Sequence, residues 1–440
     1  MQSYFFELAD YVGTAVRDGE VALLGLSGEE SDFVRFNRAR IQQAMHIEQS
    51  MLSVSLIHGR KRVDSTLSLT RNRESDRTQL DSLLAGMRSD IAYAPEDPYL
   101  RYSTDVASSA STSPRLLPTT ADVVDQVLGA AAGLDMVGIY ASGPVFRGFA
   151  NSLGQRNWHE VSWFDLNWSL YHHADKAVKT SYVGTSWDDR ILAERMSTAA
   201  TRVALLGQEP HHVAPGRYRA FFMPTAMTEF LGALAWGGFG EKARRTRQST
   251  LGRLYDGQTT LSPAVTIGET TVGSMAPNFQ GDGYRRSDRL TFVDAGRAAS
   301  TLISPRTAAE YGIETNAANA WENPETLDLA GGTLPIENAL SELGTGLFIS
   351  NLWYLNYSDR QACRLTGMTR FASFWVENGR IVAPLAPVRF DDTIYRLFGE
   401  CLVALTRETE PIPDGDTYGG RSTRFMSTPG ALVDGFTIVL

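Results

Sequence analysis

The sequence is poor in cysteine, in lysine and in long apolar runs. Its 440 residues include only two cysteines, Cys363 and Cys401. Two are too few for a disulfide framework or for a zinc site built from thiolates, so we interpret both as reduced thiols. No stretch approaches the roughly 18 consecutive apolar residues of a membrane-spanning helix. The first residues lack the basic start and apolar run of a secretory signal, so we expect a cytoplasmic protein without membrane association.

The overall composition is typical of a folded, mildly acidic chain. Hydrophobic residues make up 43% and charged residues 21%, which excludes a disordered or collagenous protein. The 41 basic and 50 acidic residues give a formal net charge of −9, which argues against a dedicated nucleic-acid-binding protein. The densest basic run, residues 241–247, has no interleaved aromatic residues. We interpret it as a solvated or subunit-facing helix and expect no nucleic-acid partner.

Common catalytic signatures are missing as well. There is no G-x-S-x-G motif of a serine hydrolase, and no glycine-rich phosphate loop between a strand and a helix. Two adjacent histidine pairs occur, His172-His173 and His211-His212. Neighbouring residues on a strand point to opposite faces, so we interpret both pairs as structural or exposed. The alternative is that these histidines bind a metal ion supplied by another molecule.

Helices and strands are predicted in mixed runs rather than in regular alternation, which indicates an α+β fold. A boundary signal at residues 208–216 divides the chain into two predicted domains, 1–205 and 206–440, with mixed or antiparallel sheets packed by helices. The serine-rich segment 103–120 is interpreted as linker-like, with Thr119 or Thr120 capping the next helix. Apolar periodicity predicts helices over 4–17, 73–90, 188–205 and 224–236, and strands over 51–58, 218–222, 289–294, 345–353, 370–376 and 431–440.

Several short motifs occur in an order that resembles the TldD/PmbA family, also called TldD/TldE. They are ANSLG at 150–154, PGRYR at 215–219 followed by MPTA at 223–226, GLFI at 346–349, and FWVENG at 374–379. The resemblance covers nearly the whole chain and implies the family's α+β fold. It also implies one of two subunit types that form heterodimers. TldD-like chains are zinc metallopeptidases with an HExxxH helix and a C-terminal cysteine, whereas TldE-like chains lack the metal site.

This sequence departs from the zinc-binding pattern on the helix that should carry it. The resemblance aligns Gly232 and Gly237 with the two histidines and Ala233 with the glutamate. Neither glycine nor alanine can bind zinc or move a proton. Residues 414–420 contain no cysteine either. The resemblance therefore implies a TldE-like subunit without catalytic or metal-binding residues, and zinc in a TldD-like partner.

The segment 357–370 is predicted to be a loop that contacts the substrate or another subunit. Three arginines could present a surface that binds carboxylates. The same arginines could lower the pKa of Cys363 and make it a nucleophile. A solvated or interface loop is the alternative. The candidate substrate-binding residues are Tyr357, Asp359, Arg360, Arg364 and Arg370.

The preferred hypothesis is a non-metal subunit that pairs with a TldD-like metallopeptidase. It would complete the wall of a shared chamber and hold an extended or modified peptide by edge-strand hydrogen bonds. The first alternative is a homodimeric protein that binds peptides or small amides without cleaving them, and the isolated chain could be such a homodimer. The second is a stand-alone hydrolase that uses Cys363.

Overall fold

The computed structural model describes residues 1–174, 176–413 and 419–440. The helices are α1 Gln2–Ala15, α2 Arg73–Ile91, α3 Thr120–Ala130, α4 Asp189–Leu205, α5 Pro224–Ala235, α6 Glu241–Arg245, α7 Gly252–Tyr255, α8 Pro305–Tyr311, α9 Ala339–Leu343 and α10 Ile394–Leu397. The strands before residue 200 are β1 Glu20–Asn37, β2 Arg40–His58, β3 Lys61–Ser68, β4 Ser109–Thr112, β5 Asp135–Asn151, β6 Arg156–His173 and β7 Lys176–Gly184. Those after it are β8 Gly216–Phe222, β9 Ile267–Thr270, β10 Arg289–Asp294, β11 Arg297–Ala298, β12 Thr326–Leu329, β13 Gly346–Ile349, β14 Asn351–Asp359, β15 Arg364–Arg370, β16 Phe374–Glu377, β17 Arg380–Pro384, β18 Arg389–Thr393, β19 Leu402–Pro413 and β20 Phe425–Ile438.

The first sheet contains the long strands of the N-terminal half. Its order is β3-β2-β1-β5-β6, and both β4 and β7 pair with β6. All neighbours are antiparallel except β4 and β6. Helices α1 and α2 pack on the sheet through Phe5, Leu8 and Leu80, whereas α3 and α4 contribute Val123 and Leu192 to a separate core. The sheet is therefore covered by helices whose apolar stripes face it.

The second sheet is mixed and is organised around its last strand. Strand β20 pairs with β8 and β19 in antiparallel fashion, with β12 in parallel, and with β18 through a single residue pair. The remaining strands extend on either side as β11-β10-β9-β12 and β8-β13-β16-β17, and the β14–β15 hairpin joins through β18. Helix α5 packs against this sheet, and its residues Phe230, Leu231 and Leu234 are fully buried in the core.

The structure confirms the α+β class with mixed and antiparallel sheets. Strand 289–294 and the Thr119 cap, which accepts a hydrogen bond from the Asp122 N–H, are also confirmed. The predicted division into 1–205 and 206–440 stays a prediction. None of the helices in the described ranges has the length and apolar character needed to cross a membrane.

Three local predictions were wrong. The predicted strand 345–353 is interrupted at Ser350, and 370–376 spans the end of β15 and the start of β16. The predicted loop 357–370 is the β14–β15 hairpin. The linker-like interpretation of 103–120, where β4 lies, stays a prediction. The two strand errors arise because apolar residues run on across tight corners, and the corner at Phe371 uses a positive φ of 57° without glycine, so the sequence gives no turn signal there.

A buried arginine fastens residues 419–424 to the first sheet. The guanidinium of Arg421 lies 4.1 Å from the ring centroid of Trp163 and donates to the carbonyl oxygens of Gly143 at 2.9 Å and Trp163 at 2.5 Å. Burial lowers the pKa of Arg421 to about 10. Nearby, burial raises the pKa of Asp165 to about 6, although Arg421 and Asn167 oppose the shift. The preceding residues 414–418, which include part of the cysteine-free tail, lie outside the described residues.

Candidate functional site

A cavity of about 690 Å³ lies where the two sheets meet above α5. Its volume falls within the range of small-molecule and peptide sites. The first sheet contributes residues of β6 and β7, and the second half contributes α5, β14 and the chain around β19 and β20. The polar side chains among the described lining residues are Asn167, Lys179, Thr180, Ser181, Thr225, Thr228, Glu229, Asn323, Glu325, Thr326, Asn351, Asn356, Tyr357 and Arg424.

Helix α5 presents one face to this cavity and the opposite face to the core. It begins with Pro224 at its first turn, where a missing N–H is tolerated, and ends before the Gly237-Gly238 pair. The cavity-lining positions Thr225, Thr228, Glu229, Gly232 and Trp236 follow a spacing of three and four residues, which places them on one side of a helix. The helix therefore forms one wall of the cavity.

The positions aligned with the family's zinc ligands lie at this wall. Gly232 and Ala233 line the cavity, and Gly237 follows the end of α5 with a φ of 81°. The carboxylates in the described lining are Glu229 and Glu325, and it contains no histidine or cysteine. Within the described ranges no three His, Cys, Asp or Glu side chains are grouped to hold a metal ion. The residues at this wall therefore do not fit a zinc site.

Glu229 and Lys179 both line the cavity but do not form an ion pair. Burial raises the pKa of Glu229, and Lys179 opposes the shift by its positive charge. No carboxylate oxygen of the described residues lies within ion-pair distance of the Lys179 ammonium. The side-chain oxygen of Asn351 is buried and has no hydrogen-bond partner in the described structure. The cavity thus offers an acceptor and a cation that a ligand could engage.

Two of the predicted candidate residues meet at the cavity. The Tyr357 hydroxyl donates to the Ala233 carbonyl oxygen at 2.7 Å and to Thr250 Oγ1 at 3.3 Å. Arg360 lies at the rim, with its guanidinium 5.1 Å from the ring centroid of Trp236 and 4.9 Å from that of Tyr357. The β14–β15 hairpin is thereby fixed against the end of α5.

The other three candidates are dispersed along the hairpin. Asp359 accepts the backbone N–H groups of Gln361 and Ala362 and shapes the turn. Arg364 forms an ion pair with Asp391 at 2.9 Å, on the side that faces β18. Arg370 pairs in register with the cavity-lining Asn351 and stacks on Trp353 at 3.9 Å. Of the five candidates only Tyr357 lines the cavity. Arg360 and Arg370 lie beside it through their contacts with lining residues, and Asp359 and Arg364 have no such contact in the described structure.

The hypothesis that Cys363 is an activated nucleophile is wrong. Its side chain is fully buried, and its backbone adopts a positive φ of 47° in the hairpin turn. Burial raises the pKa of the thiol to about 12, and this effect outweighs the opposing charge of Arg360. A thiol with such a pKa carries almost no thiolate at neutral pH.

Sequence reasoning missed most of the cavity wall contributed by the first half. Lys179 lies on β7 and Asn167 on β6, and neither belongs to a motif. Both reach the cavity because β7 is an edge strand of the first sheet and β6 is its neighbour. Glu229 could have been found from the sequence, since it precedes Gly232 by three residues on the predicted helix and shares its face.

Comparison with known proteins identifies the family. Residues 215–439, about half of the chain, match the family described as PmbA/TldA metallopeptidase C-terminal domain. The chain belongs to this PmbA/TldD family. A comparison with curated protein sequences gives no match.

Solved structures share the fold over nearly the whole chain. TldE from Thermococcus kodakarensis is 12% identical with a TM-score of 0.80, and the match covers 99% of this chain and all of that one. A candidate modulator of a DNA gyrase from Thermotoga maritima is 14% identical with a TM-score of 0.77, at 99% and 100% coverage. A similar protein from Bacteroides thetaiotaomicron is 16% identical with a TM-score of 0.75, at 99% and 98% coverage. At these identities the likeness establishes the fold alone.

Proposed function

We propose that this chain is the non-metal, TldE-like subunit of a cytoplasmic peptidase complex. A TldD-like partner would carry the zinc and cleave the amide bond, and this chain would hold an extended or modified peptide in the cavity above α5. The family membership and the glycine and alanine residues at the cavity wall support this division of labour. The proposed task needs shape and backbone hydrogen bonds rather than groups that transfer protons.

The observation that carries the proposal is the position of two edge strands beside the cavity. Among the described pairings, β7 pairs only with β6, and β14 pairs only with β15. Residues of both strands line the cavity. An edge strand has a row of unpaired N–H and C=O groups, and an extended peptide can add to it as a further strand. A peptide in this cavity would therefore lie between two backbones able to bind it.

The alternative is a homodimer that binds peptides or small amides without cleaving them. The same cavity supports that function, because edge-strand binding does not require a catalytic partner. The two proposals differ in whether a TldD-like chain is needed for activity.

The test combines reconstitution with a substitution that fills the cavity. The chain is co-expressed with a TldD-like chain that retains HExxxH, and we expect a stable complex on size-exclusion chromatography that cleaves unfolded peptides. Gly232→Leu should reduce cleavage at least tenfold, since a Cβ at Gly232 meets only the Met426 methyl group at 3.7 Å and the side chain would project into the cavity. Gly86→Leu on α2 is the matched control, because nothing lies within 4 Å of its Cβ position.

Two results would reject the proposal. Stoichiometric zinc in the purified chain, measured by elemental analysis, would contradict its assignment as the non-metal subunit. Absence of both a complex and cleavage, together with peptide binding by the chain alone, would favour the homodimer.

A further inference from the structure

Three cations in or beside the cavity have no carboxylate partner among the described residues. Lys179, Arg360 and Arg370 are exposed, and no carboxylate oxygen of the described residues lies within 4 Å of their charged nitrogens. Arg364 of the same hairpin, by contrast, forms an ion pair with Asp391. The three cations thus have no described carboxylate within 4 Å, in a chain whose net charge is −9.

Aromatic rings hold these cations in place. The guanidinium of Arg370 lies 3.9 Å from the ring centroid of Trp353 and 5.1 Å from that of Phe371. The Lys179 ammonium lies 5.8 Å from the same Phe371 ring, so this ring connects β7 with the hairpin. Arg360 is placed in the same way by Trp236 and Tyr357.

Stacking leaves the arginines free to bind an anion. A guanidinium packed by its face on an aromatic ring keeps its N–H groups directed outward in the ring plane, where they can bind a carboxylate with two parallel hydrogen bonds. In the described structure the Arg370 guanidinium donates no hydrogen bond, and the Arg360 guanidinium donates one, to the Trp236 carbonyl oxygen at 3.3 Å. The binding edge of Arg370 is therefore open.

The backbone beside this surface is strained. Tyr354 and Phe371 adopt positive φ angles of 60° and 57°, which bulky residues rarely do. Tyr354 is 77% exposed and Trp353 is 49% exposed, so these rings are not placed by core packing. Strained, exposed aromatic residues are characteristic of binding surfaces.

The anions of the cavity do not neutralise this surface. Glu325 accepts a hydrogen bond from Asn319 and lies 3.9 Å from the Arg286 guanidinium. Burial raises the pKa of Glu229, which disfavours its charged form. Asp359 is occupied by the backbone of the hairpin turn. Among the described residues, the positive charges of Lys179, Arg360 and Arg370 are therefore not cancelled by ion pairs.

We infer that the peptide bound in the cavity is acidic, and that Lys179, Arg370 and Arg360, in or beside the cavity, bind its carboxylates. This inference rests on the proposed function, since it names the class of peptide that the edge strands hold. The exposed rings beside the cations would cover the apolar parts of the same peptide.

The test is fluorescence anisotropy of labelled ten-residue peptides with the purified full chain. The peptides share one uncharged, extended sequence, in which three positions are glutamate, glutamine or lysine. We expect the glutamate peptide to bind at least tenfold more tightly than the glutamine peptide at low salt, and 0.5 M NaCl should reduce the difference. Lys179→Gln with Arg370→Gln should remove the preference while the glutamine peptide still binds. Arg297→Gln on β11 with Arg380→Gln on β17, both exposed and outside the cavity lining, is the charge-matched control and should retain the preference.

The outcomes separate the inference from the proposed function. Equal binding of all three peptides, or a preference that survives Lys179→Gln with Arg370→Gln, would overturn the inference and leave the proposed function standing. Failure of every peptide to bind would overturn both. A labelled single-stranded ten-nucleotide DNA serves as a competing anion, because cations beside exposed aromatic rings also suit nucleic acid. Tighter binding of this DNA than of the glutamate peptide would overturn the assignment to a peptide.

Discussion

The hydroxyl of Tyr357 donates a 2.7 Å hydrogen bond to the carbonyl oxygen of Ala233. The sequence resemblance aligns Ala233 with the glutamate of the zinc-binding helix of TldD-like chains. The hydrogen bond joins the end of α5 to the β14–β15 hairpin through the helix backbone and holds this wall of the cavity.

Replacing Tyr357 with phenylalanine should destabilise the protein by about 1 kcal/mol, because the Ala233 carbonyl oxygen then keeps only the Trp236 backbone N–H as a donor. The change is measured as a shift of the midpoint of urea unfolding. Tyr354→Phe is the control, since the Tyr354 side chain is 77% exposed and should give no shift. Equal midpoints for the two variants would contradict the structural role given to the hydroxyl of Tyr357.

Asp165 should make stability fall as pH rises from about 4 to 6. Its pKa in the folded protein is about 6, above the ordinary value of 3.8, so the unfolded chain loses this proton first. The stabilising contribution of protonated Asp165 to the free energy of unfolding is fully present below pH 3.8, the ordinary pKa. It is lost as the pH rises through the folded pKa of about 6. Integration over this window gives about 3 kcal/mol. Asp165→Asn should gain that much stability relative to the wild type between pH 4 and pH 7 in urea unfolding. Asp18→Asn, on an exposed turn, is the control, and its unfolding free energy should depend on pH as that of the wild type does. A stability difference between Asp165→Asn and the wild type that does not change between pH 4 and pH 7 would refute the prediction.

Cys363 should resist alkylation in the native protein. With a thiol pKa of about 12, its thiolate fraction at pH 8 falls by about a thousandfold from that of an ordinary cysteine, and burial adds a barrier. Peptide mass spectrometry after iodoacetamide treatment reports each cysteine separately. We expect no modification of Cys363 within an hour in buffer and complete modification in 6 M guanidinium. Comparable rates in the two conditions would show that the thiol is accessible.

Arg421→Gln should destabilise the protein by about 3 kcal/mol, because the carbonyl oxygens of Gly143 and Trp163 lose charged donors in a buried site. Hydrogen exchange should accelerate at residues 419–424 and at the strands beneath them. Arg380→Gln, an exposed position on β17, is the control. Unchanged exchange at 419–424 in Arg421→Gln would mean that other contacts fasten this segment to the first sheet.

Local sequence signals predicted most helices and strands but not which of their residues come together at the cavity. Helix α5 was predictable because a proline begins it, two glycines end it, and apolar residues recur with helical spacing between them. The β14–β15 hairpin was missed because its turn places Cys363 at a positive φ, a position where glycine or asparagine would have given a signal. Lys179 and Asn351 face one cavity through the packing of two sheets, a long-range arrangement that no local pattern encodes. The family resemblance pointed to the α5 wall, but only the structure adds the edge strands on either side.

The central position of β20 sets the order in which the second half can be assembled. Strand β8 forms its longest pairing with residues synthesised about 210 positions later. At ribosomal rates of about 5–20 residues per second, this interval lasts on the order of ten to forty seconds. During that time β8 and the apolar face of α5 lack β20, the strand against which both pack in the folded protein. We therefore expect a nascent chain to expose these surfaces until β20 has left the exit tunnel.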